Sequence, residues 1–181
     1  LVGYPMQHAR HHVARLASHF RVADQLEVYE QIPQEEVNRL LNRARVNIIW
    51  SRREGVNRAV IEGFLAGTPC IMRKGFNYGY EYPYINDSTG CFADDHELPG
   101  VLQRFASGDQ TYATREWVLD QMSCQRAASV LGAAALAEAE RRGERWTGEV
   151  TVKVNSLGGM RYWCNDDRAL FVNDYECLAS W

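Results

Sequence analysis

The chain has 181 residues, 46% apolar and 24% charged, the composition of an ordinary globular protein large enough to bury a real core. That excludes collagen-like, coiled-coil and wholly disordered chains, and no apolar run approaches the roughly 18 residues a membrane-crossing helix needs. With 20 basic and 23 acidic side chains well mixed along the chain, the net charge of −3 gives no reason to expect nucleic acid as a partner.

Leu1-Val2-Gly3 reads as the end of a strand, without the charged start and apolar stretch of a signal peptide. A helix is expected over 5–20, with Pro5 in its first turn and Val13, Leu16, Ala17 and Phe20 as its apolar positions. Leu26 to Tyr29 reads as a second strand, and Pro33 opens a helix over 34–44 carrying Val37, Leu40, Leu41 and Ala44 on one face. Val46 to Trp50 reads as a buried strand, followed by a charged turn and a helix from about Val56 to Ala66. Gly67-Thr68-Pro69 stops that helix, and Cys70-Ile71-Met72 is a strand. After a Gly- and Tyr-rich loop, Gly90 to Ala93 is another. From Glu97 to Gly143 the chain is expected to be helical, in three pieces broken near Gly108 and Ser123.

Strands alternating with helices of roughly 10–15 residues mean βαβ units and a parallel sheet. The fold class is therefore α/β, a Rossmann-like parallel sheet flanked by helices over residues 1–143. Residues 144–181 are a separate C-terminal extension in which Glu149 to Val154 alternates like a strand and Trp146, Trp163 and Trp181 are scattered through polar sequence. In doubly wound sheets the first strand of the unit lies centrally, and the strand order reverses beside it. If Leu1-Val2-Gly3 closes the second strand, the first is missing from these 181 residues, and the chain is expected to be part of a longer protein.

The stretch that carries chemistry is Val46 to Ile71: strand, polar turn Ser51-Arg52-Arg53-Glu54-Gly55, helix, Gly-Thr-Pro stop, strand. A turn containing Gly at the carboxyl end of a parallel strand lets the next helix aim its free N–H groups at a phosphate. Gly55 would let a ligand approach closely because it has no Cβ. Glu54 and Glu62 are eight positions apart, about 12 Å if helical throughout, and lie broadly on one side. Two such acceptors could hold hydroxyls on separate parts of one elongated ligand. Val56, Ala59, Val60, Ile61, Phe64 and Leu65 leave a narrow polar strip with Arg58 and Glu62. The plainer alternative is that Arg58 and Glu62, four residues apart, form a solvated ion pair, although acid C-terminal to base is the weaker orientation.

This stretch resembles the signature of retaining glycosyltransferases of the GT-B fold, the family 4-like group that uses nucleotide-sugar donors. Their pattern is an apolar strand, Ser, a variable pair, Glu-Gly-Phe-Gly, four residues to a second Glu, then Ala-x-x-x-Gly-Thr-Pro-Val-Ile. Here it is Ser51, Glu54-Gly55-Val56-Asn57, Glu62 and Gly67-Thr68-Pro69-Cys70-Ile71. Ile32-Pro33-Gln34-Glu35-Glu36 and Asn86-Asp87-Ser88-Thr89-Gly90-Cys91-Phe92 also resemble family segments, so the likeness covers about residues 1–107. It implies that Glu54 contacts the transferred sugar, that Glu62 binds the ribose, and that the amides of Gly55, Val56 and Asn57 meet the donor's phosphates or sugar. Ser51 and Arg58 complete the implied donor site. It also implies transfer with retention and no bound metal or other cofactor, basic side chains and the helix dipole stabilising the departing diphosphate. The implied partners are a nucleotide-diphosphate sugar and a sugar, glycan or glycolipid acceptor held by a missing N-terminal domain, through which the protein could touch a membrane peripherally. Asn57 departs from the family's second small Gly, and the family's Arg and Lys phosphate clamp has no counterpart here.

Two other functions share this fold: a non-catalytic module that binds nucleotide sugars or serves assembly, and an enzyme that isomerises nucleotide sugars. The remaining clusters read as structural. His8, His11, His12 and His19 fall on one helix, and His8 and His12 have i, i+4 spacing but no acidic or Cys partner at motif spacing. Asp94-Asp95-His96-Glu97 reads as a helix N-terminus, and Tyr78, Tyr80, Tyr82 and Tyr84 as a half-buried loop. Five cysteines without CxxC spacing are expected to be free thiols, which favours the cytoplasm.

Overall fold

The computed structural model describes residues 2–3, 9–51, 55–75, 83–146, 150–156 and 159–180. The chain divides into two compact units, Leu1–Arg115 and Glu116–Trp181. Pro5, His8, Arg52, Arg53, Glu54, Tyr78, Tyr80, Tyr82 and Trp181, named above, lie outside the described residues.

In the first unit, β1 (Val2–Gly3) pairs in parallel with β2 (Tyr29–Glu30), with α1 (Ala9–His19) between them in the chain. Helix α2 (Gln34–Arg43) follows Pro33, with Glu35 and Glu36 in its first turn where acids suit the dipole. A second sheet has the order β3 (Asn47–Ile49), β4 (Cys70–Arg73), β5 (Gly90–Ala93), both pairings parallel, and α3 (Arg58–Leu65) connects its first two strands. Helix α4 (Leu98–Ser107) completes this layer: Ile71 and Ala93 pack with its Val101 and Phe105, and Val46, Trp50, Cys91, Leu98, Leu102 and Tyr112 extend the cluster.

Strand β4 is buried over its first three residues, with Cys70, Ile71 and Met72 at zero exposure, because it has a neighbour on each edge. The expected buried strand at 46–50 is different. β3 is shorter, pairs only with β4 among the described residues, and leaves Ile48 43% exposed. The expected strand at 26–29 is likewise only Tyr29–Glu30.

Two glycines set how closely these layers meet. Gly90 has φ +151, and a Cβ there would stand 1.9 Å from the Cys70 carbonyl oxygen. A Cβ at Gly63 would stand 2.9 Å from Nδ2 of Asn47, which itself donates to the Ala59 carbonyl at 2.9 Å. Glycine at 63 thus lets α3 close on β3. Thr68 then donates to the Leu41 carbonyl at 2.6 Å, tying the stop after α3 to α2.

The three expected helical pieces are α4, ended by Gly108 at φ 74, then α5 (Thr114–Gln121) and α6 (Cys124–Arg142). Ser123 caps α6 by accepting from the Arg126 amide at 3.2 Å, and Gly143 at φ 70 ends it. In the second unit β6 (Lys153–Ser156) pairs antiparallel with β7 (Gly159–Tyr162), and α7 (Val172–Ala179) follows. The strand begins at Lys153, and Glu149, where it was expected to start, lies outside the described residues. Gly132 of α6 lies against Val150, so residues after 143 pack back on α6. By contact the chain divides after Arg115.

Candidate functional site

The turn after β3 leads into α3, and the helix begins at Arg58, two residues later than expected. Asn57 is the reason. It sits in an extended conformation, and its side-chain oxygen accepts from the Val60 amide at 3.2 Å, satisfying one of the orphan donors of the first turn. Its departure from a small Gly therefore has a structural role, which the preference of Asn for helix N-caps could have revealed. Residues 55–57 are not helical, and Glu54 lies outside the described residues.

Helix α3 is also less enclosed than its composition suggested. Val60, Gly63 and Phe64 are buried, whereas Ala59 and Leu65 are exposed, as is Val56 in the preceding turn. Only one face is sandwiched. Arg58 stands exposed at the first position of the helix. A cation is at the unfavourable end of the dipole there. Among the described residues no ion pair joins Arg58 to Glu62, so the solvated pair is absent.

Glu62 is half-buried, and among the described residues its carboxylate has no ion-pair or hydrogen-bond partner. Together with Leu65 it walls a groove of about 300 Å³ whose other wall is Gln34, Glu35, Val37, Asn38 and Leu41 of α2. This groove was missed in the sequence, where Gln34 and Glu35 were noted only as part of a family-like segment and no site residue was placed on α2. Its lining combines the apolar Val37, Leu41 and Leu65 with the amides of Gln34 and Asn38 and the carboxylates of Glu35 and Glu62. Such a site can accept an apolar ring and take hydrogen bonds from hydroxyls.

Gly55 is exposed, and among the described residues a Cβ there would meet nothing within 4 Å. Ser51 is half-buried directly after Trp50. The structure thus puts Ser51, Gly55, Val56, Asn57 and Arg58 in chain order between the carboxyl end of β3 and the start of α3, with Glu62 one turn into the helix. At the next strand end, Asp94 caps the approach to α4 by accepting from the His96 and Glu97 amides at 2.8 and 2.9 Å. Those bonds hold its carboxyl below the usual aspartate range. Tyr84 is buried at 3% exposure rather than half-buried. His11, His12 and His19 are exposed on α1, and His12 contacts Arg15 at 3.0 Å. Among the described residues no group of three or more His, Cys, Asp or Glu could hold a metal ion, and no helix is long and apolar enough to cross a membrane.

No protein-family model matches the chain, and no curated protein matches it. Among solved structures it is similar to a sucrose-phosphate synthase from Thermosynechococcus elongatus, with 21% identity and a TM-score of 0.59. The match covers 80% of this chain and 38% of that one, so this chain spans well under half of its neighbour's length. At that identity the likeness shows the fold, a glycosyltransferase-like α/β half-domain whose parallel three-stranded sheet is flanked by helices.

Proposed function

We propose that this chain is the donor half of a retaining sugar transferase and binds a nucleotide-diphosphate sugar. The observation that carries the reading is Glu62, a half-buried carboxylate on the wall of the α2–α3 groove without a partner among the described residues. Such an acceptor is open to donors from a ligand, and ribose hydroxyls are suitable donors. The groove, at about 300 Å³, is at the small end of ligand pockets and suits a nucleoside rather than a whole nucleotide sugar. The diphosphate then lies toward the Ser51–Asn57 turn and the amide end of α3, where Arg58 supplies a cation without a partner among the described residues. Glu54 addresses the sugar.

In this chemistry the anomeric carbon's bond to the diphosphate oxygen breaks. A bond to an acceptor oxygen forms on the same face, and the acceptor's proton leaves with the diphosphate. The α3 amides and Arg58 stabilise the charge that develops on the leaving group. The acceptor is held by further chain outside these 181 residues, which also supplies one more parallel strand. In keeping with a further strand, β1–β2 and β3–β4–β5 are separate parallel sheets among the described residues of one unit, and an open sheet edge is a template for another strand.

A thermal-shift panel of nucleotide sugars against the full chain tests the reading. At least one donor should raise Tm in a concentration-dependent way, and its free diphosphate should do so as well. A panel without any shift contradicts it. A shift without transfer by the longer protein favours the non-catalytic binding module.

A further inference from the structure

The α2–α3 groove presents two carboxylates, Glu35 from α2 and Glu62 from α3. A carboxylate accepts hydrogen bonds and donates none, so the groove calls for a ligand rich in donors. Ribose hydroxyls serve Glu62, and Glu35 is left over. The two acids at the start of α2 differ in this respect. Glu36 pairs with Arg39 at 2.8 Å, whereas the Glu35 carboxylate lines the groove and has no ion-pair or hydrogen-bond partner among the described residues.

The amide beside it has a set direction. Asn42 donates from Nδ2 to the Asn38 side-chain oxygen at 3.0 Å and to the Asn38 carbonyl at 2.8 Å. That engages the acceptor of the Asn38 amide and leaves its NH2 as the group with bonds to give. Glu35 and Asn38 are three residues apart, hence neighbours on the helix surface. The α2 wall thus sets a carboxylate with two open oxygens next to an amide donor. Val37 and Leu41 on this wall and Leu65 opposite, itself 42% exposed, add apolar surface for a flat ring.

Nucleobases differ in what they offer such a wall. Guanine carries two adjacent donors, N1–H and N2–H, which fit the two oxygens of one carboxylate, with the O6 acceptor next to them for an amide. Uracil has one ring donor, N3–H, between two carbonyls that a carboxylate repels. Adenine offers its amino group beside ring nitrogens that only accept. We infer that the groove selects guanine, so that the donor is a guanosine-diphosphate sugar: Glu35 accepts from N1–H and N2–H, Asn38 donates to O6, and Glu62 holds the ribose. The inference rests on the donor reading above and adds which nucleotide the site takes. Hydrogen bonds to a carboxylate are charge-assisted, the stronger kind, and a bidentate pair adds geometric specificity. Glu35 is therefore the residue that discriminates. Gln34, whose amide can both donate and accept, suits any base and does not discriminate.

The test is calorimetric titration of GDP, IDP, UDP and ADP into the full chain and into Glu35→Gln. IDP keeps the guanine ring but lacks the 2-amino group, so it loses one of the two bonds to Glu35. The parent should bind GDP about tenfold or more tightly than IDP, the worth of one hydrogen bond to a charged acceptor, and more tightly than UDP or ADP. In Glu35→Gln the GDP and IDP affinities should draw together, because the amide offers one oxygen and sets an NH2 against the second donor. A role for Glu35 confined to the dipole of α2 would lower Tm and leave the GDP-to-IDP ratio unchanged, which overturns the inference. Equal affinity for GDP and IDP in the parent overturns it without any variant. UDP or ADP binding more tightly than GDP overturns the guanine assignment and leaves the donor reading standing, whereas binding of none of the four overturns both.

Discussion

Gly55, Arg58 and the cysteines each yield a test because their surroundings are simple. Alanine at Gly55 meets open space, so Gly55→Ala should leave Tm within about 1 °C of the parent, as surface substitutions do. If a diphosphate approaches this backbone, the same change should weaken its binding by roughly tenfold or more, read by calorimetry. Equal affinity would remove Gly55 from the site. Arg58 has no pair with Glu62 to release, so Arg58→Ala should weaken diphosphate binding, and more so at low salt, where charge is least screened. Tighter binding would mean that the two side chains do pair in solution. The cysteines are all free. Burial pushes the Cys70 thiol far above its ordinary range, whereas Cys164 and Cys177 are exposed. A thiol reagent should therefore label Cys164 and Cys177 first in the native protein and reach five thiols only after denaturation.

Among the elements, β4 and its neighbours carry the clearest stability predictions. Gly90→Ala would drive a Cβ into the Cys70 carbonyl at a φ that L-residues avoid, so the β4–β5 ladder must separate. A loss of at least about 3 kcal/mol is expected from overpacking and backbone strain together, on the order of 10 °C in Tm. A variant as stable as the parent would mean that the strands meet differently. Asp94 gives a pH test. Its carboxyl is held below the ordinary value by the amides ahead of α4, so its contribution is present above the unfolded value near about 4 and lost as pH falls through the lower folded one. The urea midpoint of Asp94→Ala should trail the parent's at pH 6 and draw level toward pH 2. A gap that persists at pH 2 would assign the effect to packing. These elements also show what a local pattern can carry. Gly108 and Gly143 mark helix ends by their left-handed backbone and Ser123 marks one by its side-chain cap, and the helices begin or end beside them. Val46 to Trp50 is apolar enough for a strand buried on both sides, yet whether a neighbour lies at its edge is not a property of those five residues.

For the chain as a whole, the βαβ alternation gave the parallel pairing and the order of elements. It could not give the α2–α3 groove, because Gln34, Glu35 and Asn38 meet Glu62 only through packing of two distant helices. Nor did it show that Val150 returns to Gly132 of α6. The spacing of Glu54 and Glu62 was readable, but its helical interpretation was not, since the Asn57 cap starts the helix late. The 181 residues alone should not transfer sugar, because a donor half cannot hold an acceptor within reach of the anomeric carbon. Turnover by this chain without added protein would contradict that. The most direct measurement is calorimetric titration of UDP, GDP and ADP into the full chain and into Glu62→Ala. At least one diphosphate should bind the parent, and Glu62→Ala should bind it roughly ten- to a hundredfold more weakly, the worth of a hydrogen bond to a charged acceptor. Equal affinity in parent and variant would contradict the ribose role of Glu62, and binding of none of the three would contradict the donor site itself.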